Sequence, residues 1–491
     1  MKNMTKTACI IGSGIGGMAV AIRLAAKGYK VKVFEKNDMP GGRISQAEEN
    51  GFRFDTGPTK LYMPEMLDEL FVLHNKNPRN YFNYHRAESS GLYFFPDGTQ
   101  INAWCNAEKL ADEISNKTSV PKHKVYQYLH KCQKLWELAS PLFLYSPLYL
   151  CKNFLKAPCR KALLQFYRLD IFTSLDKRNR KLFLDSKVVE IFNSAASSFG
   201  NNPYKSVATI KYVSHLNYNL GVYHVQNGMY SIVKALYDLA IEAGVTFYFD
   251  SPITRVFQSN KRIVSINTAT NAYFADLLVI DTDVVHFYRD LMQDKKMAKK
   301  AMKKKLTSSA IIFYWGLSKK IEGLNFYNII VSGDSKKQFD TLFKNKAIDS
   351  DPSIYINDIS GLSGNNNPEG YQYLQVMVSV PAKHGHNWKK VTEEIKNIVL
   401  SKIEKTFGEN ISKNILFEQV ATPLTYTNIY NTHNGSLFGQ AINSFRSFFT
   451  KHPNFISRET ENLYFTGSSV HPGGGIHHCL ASAKIIATEA N

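Results

Sequence analysis

The chain has 491 residues, of which 44% are hydrophobic and 21% are charged. This balance excludes collagen-like and disordered chains, and the length favours two closely joined domains. The formal net charge of +19 suggests an acidic partner, either nucleic acid or an anionic membrane surface. A basic cytosolic protein with a lysine-rich surface has the same charge balance, so both interpretations of the net charge stay open.

Six cysteines are scattered along the chain without a C-x-x-C pair or the spacing of metal ligands. This pattern predicts reduced thiols in the cytoplasm and no metal site. No apolar run approaches the roughly 20 residues that span a membrane, and no secretory signal is expected before the first strand.

The predicted elements begin at residues 6–11, an apolar run that predicts a strand. An alanine-rich helix is predicted over 18–27 and a second strand over 30–34, with Glu35 at its end. Between the first strand and the helix lies a G-x-G-x-x-G sequence, which consists of Gly12, Ser13, Gly14, Ile15, Gly16 and Gly17. In this strand–turn–helix context the motif predicts a dinucleotide site.

Each part of the motif has a physical role. Gly12 permits the tight turn, Gly14 lets backbone N–H groups approach a pyrophosphate, and Gly17 allows close helix–strand contact. The helix N-terminus presents positive partial charge to the phosphates. Glu35 is expected to accept hydrogen bonds from a ribose 2′-hydroxyl and to repel a 2′-phosphate, which disfavours NADP. The predicted cofactor contacts in this part of the chain are residues 12–17, Glu35 and Lys36.

Two glycine-containing segments follow, 41–43 and 55–59. Together with the first motif they resemble the large flavoprotein superfamily that contains amine oxidases and carotenoid desaturases. The resemblance implies FAD as the cofactor. It implies that Gly42 and Arg43 touch the diphosphate, and that Gly57 and Pro58 lie near the isoalloxazine ring.

In the middle of the chain the resemblance narrows to carotenoid desaturases of the phytoene-desaturase type. It rests on segments in matching order: 201–206, 226–232, 275–283, 308–317, 380–382 and Trp388. Ser251-Pro252-Ile253 resembles the superfamily position where backbone groups contact the adenine. Ile253 is therefore implied as a cofactor contact.

At the far end of the chain, a short strand over 463–465 precedes a second glycine-rich turn, and a helix is predicted from Ile476 to the end. An extended FAD can use two separated helix starts, whereas NAD has little use for them. The residues expected to contact the cofactor here are Gly467, Ser468, Gly475 and Ile476. Many superfamily members carry an acid where this chain has Ser468.

The expected fold is α/β, with a doubly wound, Rossmann-like FAD-binding domain and an inserted substrate domain of mixed sheet plus helices. The FAD-binding domain is predicted to be discontinuous, comprising 1–75, 222–290 and 455–491. Residues 76–221 and 291–454 are predicted to form the substrate-binding and membrane-associating domain.

The resemblance implies an FAD-dependent oxidoreductase that introduces a C=C bond into an acyclic carotenoid, with or without a hydroxyl group, by hydride transfer to flavin N5. The terminal turn, 471–475, looks more like acyclic hydroxycarotenoid 3,4-desaturases than like phytoene desaturases, which remain the alternative. An amine-oxidase-like enzyme and a non-catalytic isoprenoid-binding flavoprotein are the other rivals. His471, His477 and His478 are the nearest polar side chains, and no catalytic residue is assigned.

A carotenoid is too apolar to cross water, so peripheral association with a membrane surface is expected. Residues 141–150 are apolar and aromatic, and basic residues follow at Lys152, Lys156, Arg160 and Lys161. A buried helix of the substrate domain is the competing interpretation. A lysine-rich stretch over 295–305 is either a solvated helix face or a lipid-attracting one. No nucleic-acid partner is expected, and the oligomeric state is left open.

Overall fold

The computed structural model describes residues 5–49, 52–145, 160, 164–361, 370–383, 385–442, 457 and 460–490. Its strands, in chain order, are β1 Thr7–Ile11, β2 Lys30–Phe34, β3 Ser45–Glu49, β4 Phe52–Thr56, β5 Tyr84–Arg86, β6 Ser89–Phe94, β7 Gln100–Trp104, β8 Tyr223–Val225, β9 Thr246–Tyr248, β10 Arg255–Ser259, β11 Arg262–Asn267, β12 Ala272–Tyr273, β13 Leu277–Ile280, β14 Ser309–Leu317, β15 Tyr327–Ile330, β16 Ile354–Asp358, β17 Gln372–Val380, β18 Ile415–Ala421 and β19 Leu463–Phe465.

Helices connect and cover these strands. In chain order they are α1 Ile15–Ala26, α2 Glu65–Val72, α3 Ala107–Lys117, α4 Lys122–Phe143, α5 Leu175–Leu182, α6 Ser186–Ser197, α7 Tyr212–His215, α8 Tyr230–Glu242, α9 Val284–His286, α10 Lys295–Met302, α11 Ser335–Asp340, α12 Trp388–Phe407, α13 Pro423–Tyr430 and α14 Ile476–Glu489. Helix α1 begins at Ile15, three residues before the predicted start, because it follows the glycine turn directly.

A five-stranded parallel sheet, in the order β19-β13-β1-β2-β9, joins distant parts of the chain. In the register of this sheet, Ala8 of β1 lies between Leu277 and Val31. Helices α1, α8 and α14 cover one face, where Met18 and Leu480 are fully buried. The small antiparallel sheet β10-β11-β12 covers the other face. Strands that are buried on both faces read as continuous apolar runs, as β1 and β13 do.

A second sheet has seven strands in the order β18-β14-β17-β16-β15-β6-β7. Strands β15 and β6 are parallel and the other neighbours are antiparallel, so the sheet is mixed as predicted. Every residue of β14 is buried, and helix α12 packs on this sheet through Ile395, Val399 and Ile403. The α/β fold with an inserted mixed-sheet domain is confirmed, while the domain boundaries stay a prediction.

The hairpin β3-β4 connects the two sheets. Phe54 is fully buried among Tyr373 and Phe417 of the seven-stranded sheet. Gly57 directly follows the hairpin, and its carbonyl oxygen accepts a hydrogen bond of 2.8 Å from the side chain of Gln375 in β17. These contacts position the segment at 55–59 between the two sheets.

The regions expected to meet a membrane are described in part. Residues 146–150 lie outside the described ranges, as do Lys152, Lys156 and Lys161, whereas Arg160 is exposed. In helix α10 the lysines are exposed and Ala298 is buried against the domain of the parallel sheet. No helix within the described ranges combines the length and apolarity needed to cross a membrane.

Candidate cofactor site and relatives of the chain

A cavity of about 530 Å³ opens where strands β1, β2, β13 and β19 end. Ligands of open α/β sheets bind at this edge, because the helix N-termini and strand ends meet there. The predicted contact residues that line the cavity are Gly12, Gly14, Ile15, Gly16, Glu35, Lys36, Gly42, Arg43, Gly57, Pro58, Ile253, Gly467, Ser468, Gly475 and Ile476. The other two predicted contacts, Ser13 and Gly17, are not among its lining residues; Ser13 donates hydrogen bonds to Glu35 and Gly17 donates one to Asp281.

The first glycine turn is held by backbone hydrogen bonds. The Gly12 N–H donates to the Phe34 carbonyl oxygen at 2.8 Å, and the Gly41 N–H donates to the Ser13 carbonyl oxygen at 2.9 Å. Helix α1 starts immediately after Gly14, which has no side chain to cap it. The N-terminus of the helix and the positive end of its dipole therefore face the cavity, which favours a bound anion.

Glu35 is fixed at the end of β2. One carboxylate oxygen, Oε2, accepts hydrogen bonds from the Ser13 N–H and the Ser13 hydroxyl, both at 2.8 Å. The other oxygen accepts from the Asn37 N–H at 3.0 Å. These bonds orient the carboxylate, which still lines the cavity and can accept from a ribose hydroxyl.

Arg43 connects the first segment of the chain to the last part of the second domain. Its guanidinium donates to the Leu437 carbonyl oxygen and to the Ser468 hydroxyl. Both partners line the same cavity. The guanidinium thus adds a positive charge beside the glycine turn, and the Ser468 hydroxyl contributes a side-chain contact to it.

The C-terminal glycine turn reaches the cavity from the adjacent strand. The Thr466 N–H donates to the Ile280 carbonyl oxygen at 2.8 Å, and the Thr466 hydroxyl bonds to Ser482 at 2.6 Å. Helix α14 then starts at Ile476, next to Gly475. Two helix N-termini from opposite ends of the chain therefore face one cavity.

Sequence reasoning assigned no role to Asp281, which directly follows β13 and lines the cavity. Its carboxylate accepts a hydrogen bond of 2.8 Å from the Gly17 N–H. The pKa of the Asp281 carboxyl is raised to about 7, mainly by burial and also by the charge of Glu35, which together outweigh the lowering by the Gly17 and Gly14 N–H groups and by Arg43. Its position after an apolar parallel strand was the available signal, because such strand ends meet at one edge.

The cavity continues into an apolar region that sequence reasoning also missed. Its lining there includes Ile312 of β14, Met377 of β17, Ile429 of α13 and Phe438. The first three come from two strands and a helix, and Phe438 comes from the segment that follows the helix. The pairing of β14 with β17 places Ile312 opposite Met377.

Two histidines of the terminal turn region are buried. His478 Nδ1 lies 2.8 Å from the Gly474 carbonyl oxygen. Burial and the neighbouring His478 lower the pKa of His477 well below its ordinary value, so the His477 ring is neutral. Its two nitrogens have no hydrogen-bond partner among the described residues. No group of three His, Cys, Asp or Glu side chains in the described ranges could hold a metal ion.

The comparisons with known proteins agree with this geometry. A family model described as flavin-containing amine oxidoreductase matches residues 15–491. A 1-hydroxycarotenoid 3,4-desaturase from Flavobacterium sp. is 36% identical over 482 residues, covering 98% of each chain. A phytoene desaturase from Fusarium fujikuroi is 25% identical and covers 100% of this chain and 90% of its own.

Solved structures share the fold at low identity. An oxidoreductase from Methanosarcina mazei superposes with a TM-score of 0.64 at 14% identity, covering 98% of this chain and 100% of its own. A cyclohexylamine oxidase from Brevibacterium oxydans has a TM-score of 0.61 at 14% identity and covers 99% of both chains. These similarities establish the fold.

The residues present also fit FAD. Two helix N-termini that favour an anion face the cavity. The Glu35 carboxylate suits a ribose hydroxyl, and the Arg43 guanidinium suits a diphosphate. The chain therefore belongs to the flavin-containing amine oxidoreductase family, among its members of the carotenoid-desaturase type, and is an FAD-dependent oxidoreductase.

Proposed function

We propose that this enzyme is a carotenoid desaturase that introduces a C=C bond into an acyclic carotenoid. The observation that carries the proposal is the continuity of the cavity, which runs from the two glycine turns to apolar side chains such as Ile312 and Phe438. An apolar polyene is the substrate class that such an apolar lining accepts.

For the cofactor, we propose that Glu35 and Ile253 contact the adenosine end of FAD. In this arrangement Gly42 and Arg43 lie at the diphosphate, together with the first turn. Gly57 and Pro58 then lie near the flavin ring, as do the residues of the second turn, namely Gly467, Ser468, Gly475 and Ile476. That all of these residues line one cavity supports this assignment.

When bound, the flavin supplies the hydride acceptor that desaturation needs. The protein's own contribution is to orient a long apolar chain and to exclude water from it. The side chains proposed for this role are Ile312 and Met377 of the seven-stranded sheet and Phe438, all of which line the cavity. The neutral His477 is not assigned as a proton acceptor, because it is not among the residues that line the cavity.

Within the desaturases we favour the 3,4-desaturase type acting on hydroxylated acyclic carotenoids. The 36% identity to a 1-hydroxycarotenoid 3,4-desaturase, against 25% to a phytoene desaturase, supports this choice. The terminal turn 471–475 supports it as well. Phytoene desaturation is the second candidate.

We further propose that the enzyme takes its substrate from a membrane surface. Large apolar side chains are exposed in one stretch of the second domain, with Leu164 at 82%, Phe172 at 77% and Leu184 at 93% of their full accessibility. Exposed basic side chains lie in the same stretch, at Arg168, Lys177 and Lys181. Apolar side chains combined with basic ones favour binding to an anionic leaflet.

The test is expression in cells that separately accumulate lycopene, hydroxylated acyclic carotenoids or phytoene, followed by pigment spectra. We expect conversion of the hydroxylated carotenoids to products of longer-wavelength absorption. Conversion of phytoene alone would overturn the choice of subtype. If dissolved amines bleach the anaerobic flavin and carotenoids do not, the desaturase proposal is wrong.

A blocked-cavity variant tests the location of the substrate. Met377→Trp adds volume at the apolar wall and is expected to abolish carotenoid conversion while the purified protein keeps its flavin. Met302→Trp is the matched control, because Met302 is 40% exposed on helix α10 and does not line the cavity. Unchanged conversion by Met377→Trp would place the substrate elsewhere.

A further inference from the structure

Asp281 occupies the space between the two glycine turns. A Cβ atom at Gly14 would lie 2.6 Å from its Oδ2. A Cβ atom at Gly16 or at Gly467 would lie 2.9 or 2.7 Å from its Oδ1. Since these separations are shorter than carbon–oxygen contacts allow, glycine at these positions leaves room for this carboxyl group. The site is thus built around a carboxyl at the point that attracts anions.

Among the described residues, no basic side chain forms a salt bridge with Asp281. Glu35 faces it from the end of β2 and has the same sign of charge. Arg43 lies nearby and its charge lowers the pKa of Asp281, although its guanidinium donates its hydrogen bonds to Leu437 and Ser468 and not to Asp281. Cys479 faces it from α14, and burial followed by the Asp281 charge raises the pKa of that thiol to about 12, so the thiol is neutral.

In the arrangement of FAD proposed above, on which this inference rests, the negatively charged diphosphate lies at this point. An ionised Asp281 beside it would face two like charges, Glu35 and the diphosphate, in a buried cavity, and like charge favours the neutral form of a carboxyl. Protonation removes this repulsion and gives the carboxyl an O–H that can donate a hydrogen bond. Meanwhile Oδ2 can accept from Gly17 in either protonation state.

We propose that Asp281 takes up one proton from solvent when FAD binds and is held as a neutral carboxyl group in the holoenzyme. The proton balance is simple: each molecule of apoprotein with an ionised Asp281 removes one proton from the buffer, and release of FAD returns it. FAD affinity and protonation of this single side chain are therefore coupled.

The sign of the pH dependence follows from this coupling. With the pKa of Asp281 in the unliganded protein at about 7, FAD affinity is constant well below that pH. Above it, affinity falls by up to about tenfold per pH unit until the pKa of the bound form is reached. Proton uptake per FAD is expected to be about 0.1 at pH 6, about 0.5 at pH 7 and about 0.9 at pH 8.

The experiment is calorimetric titration of the apoprotein with FAD at pH 6, 7 and 8, in two buffers of different ionisation enthalpy. The difference in heat between the buffers gives the number of protons taken up, without any substrate or turnover. Asp281→Asn keeps the shape and a neutral donor, and it is expected to take up no proton and to bind FAD more tightly than wild type at pH 8.

Asp276→Asn is the matched control. Asp276 directly precedes β13, at the end of the strand away from Asp281, and its exposed carboxylate accepts a hydrogen bond from the Thr7 N–H. This variant is expected to behave as wild type. Absence of proton uptake by wild type at pH 8, or equal uptake by Asp281→Asn, would overturn the proposal. If Asp281→Asn fails to fold, Glu35→Gln is measured in its place. Proton uptake that is retained in Glu35→Gln supports Asp281 as the group that is protonated. Proton uptake that is lost in Glu35→Gln identifies Glu35 as that group and overturns the proposal.

Discussion

Replacement of Glu35 tests the role of the first segment in cofactor binding. The Glu35 side chain is buried at the end of β2 and accepts three hydrogen bonds, from the Ser13 N–H, the Ser13 hydroxyl and the Asn37 N–H. Glu35→Ala removes the acceptor for all three and the predicted acceptor for the ribose. Glu35→Gln keeps one oxygen, which can still accept both bonds from Ser13 because these meet at Oε2.

The magnitude follows from the number of bonds lost. A hydrogen bond to a charged group contributes roughly 1.5–3 kcal/mol. The loss of one such bond to the ribose in Glu35→Ala is expected to cost about 2 kcal/mol of FAD binding, or roughly 30-fold in affinity. Glu35→Gln is expected to lose about tenfold or less, because its carbonyl oxygen remains an acceptor.

The assay is titration of the apoprotein with FAD, followed by quenching of flavin fluorescence. FMN is the control ligand, because it lacks the adenosine that Glu35 is predicted to bind, and its affinity is expected to be equal in wild type and Glu35→Ala. Asp276→Asn, at the opposite edge of the sheet, is the control variant. FAD affinity within threefold of wild type in Glu35→Ala would refute the assignment of Glu35.

Three further variants test the packing around the site. Gly57→Ala is expected to lower the flavin-to-protein ratio after purification, because Gly57 has φ +110° and a Cβ there would lie 2.0 Å from the Arg43 carbonyl oxygen; full loading would contradict this. Leu480→Ala removes a fully buried side chain of α14 and is expected to lower the unfolding free energy by about 2–5 kcal/mol in denaturant titrations; a loss below about 1 kcal/mol would be inconsistent with tight packing there. Burial raises the pKa of Glu69, but its two basic partners on α1 and α14 outweigh this and lower it overall. Glu69 therefore stabilises the fold above the ordinary carboxyl pKa, and this stabilisation is lost as the pH falls through the lowered pKa. In denaturant titrations at a series of pH values, the unfolding free energy of Glu69→Gln should fall less steeply with decreasing pH than that of wild type, and an equal slope would contradict this.

Local patterns in the sequence predicted the elements at both ends of the cavity. The strands over 30–34 and 463–465 have the predicted bounds, and the helix from Ile476 begins at the predicted residue. These predictions succeed because apolar runs and glycine turns constrain neighbouring residues directly. The resemblance to known flavoproteins then indicated which turns share one cofactor.

The long-range arrangement was decided by the tertiary structure. Asp281 lies beside Gly17 because β13 pairs with β1, and Ile312 lies opposite Met377 because β14 pairs with β17. Such pairing depends on the burial of both sheet faces, to which residues from the whole chain contribute. Local sequence patterns were thus sufficient to predict the glycine turns that favour a dinucleotide. The folded protein alone placed a carboxyl group between them and an apolar wall beyond them, because these residues meet only when distant strands pack together.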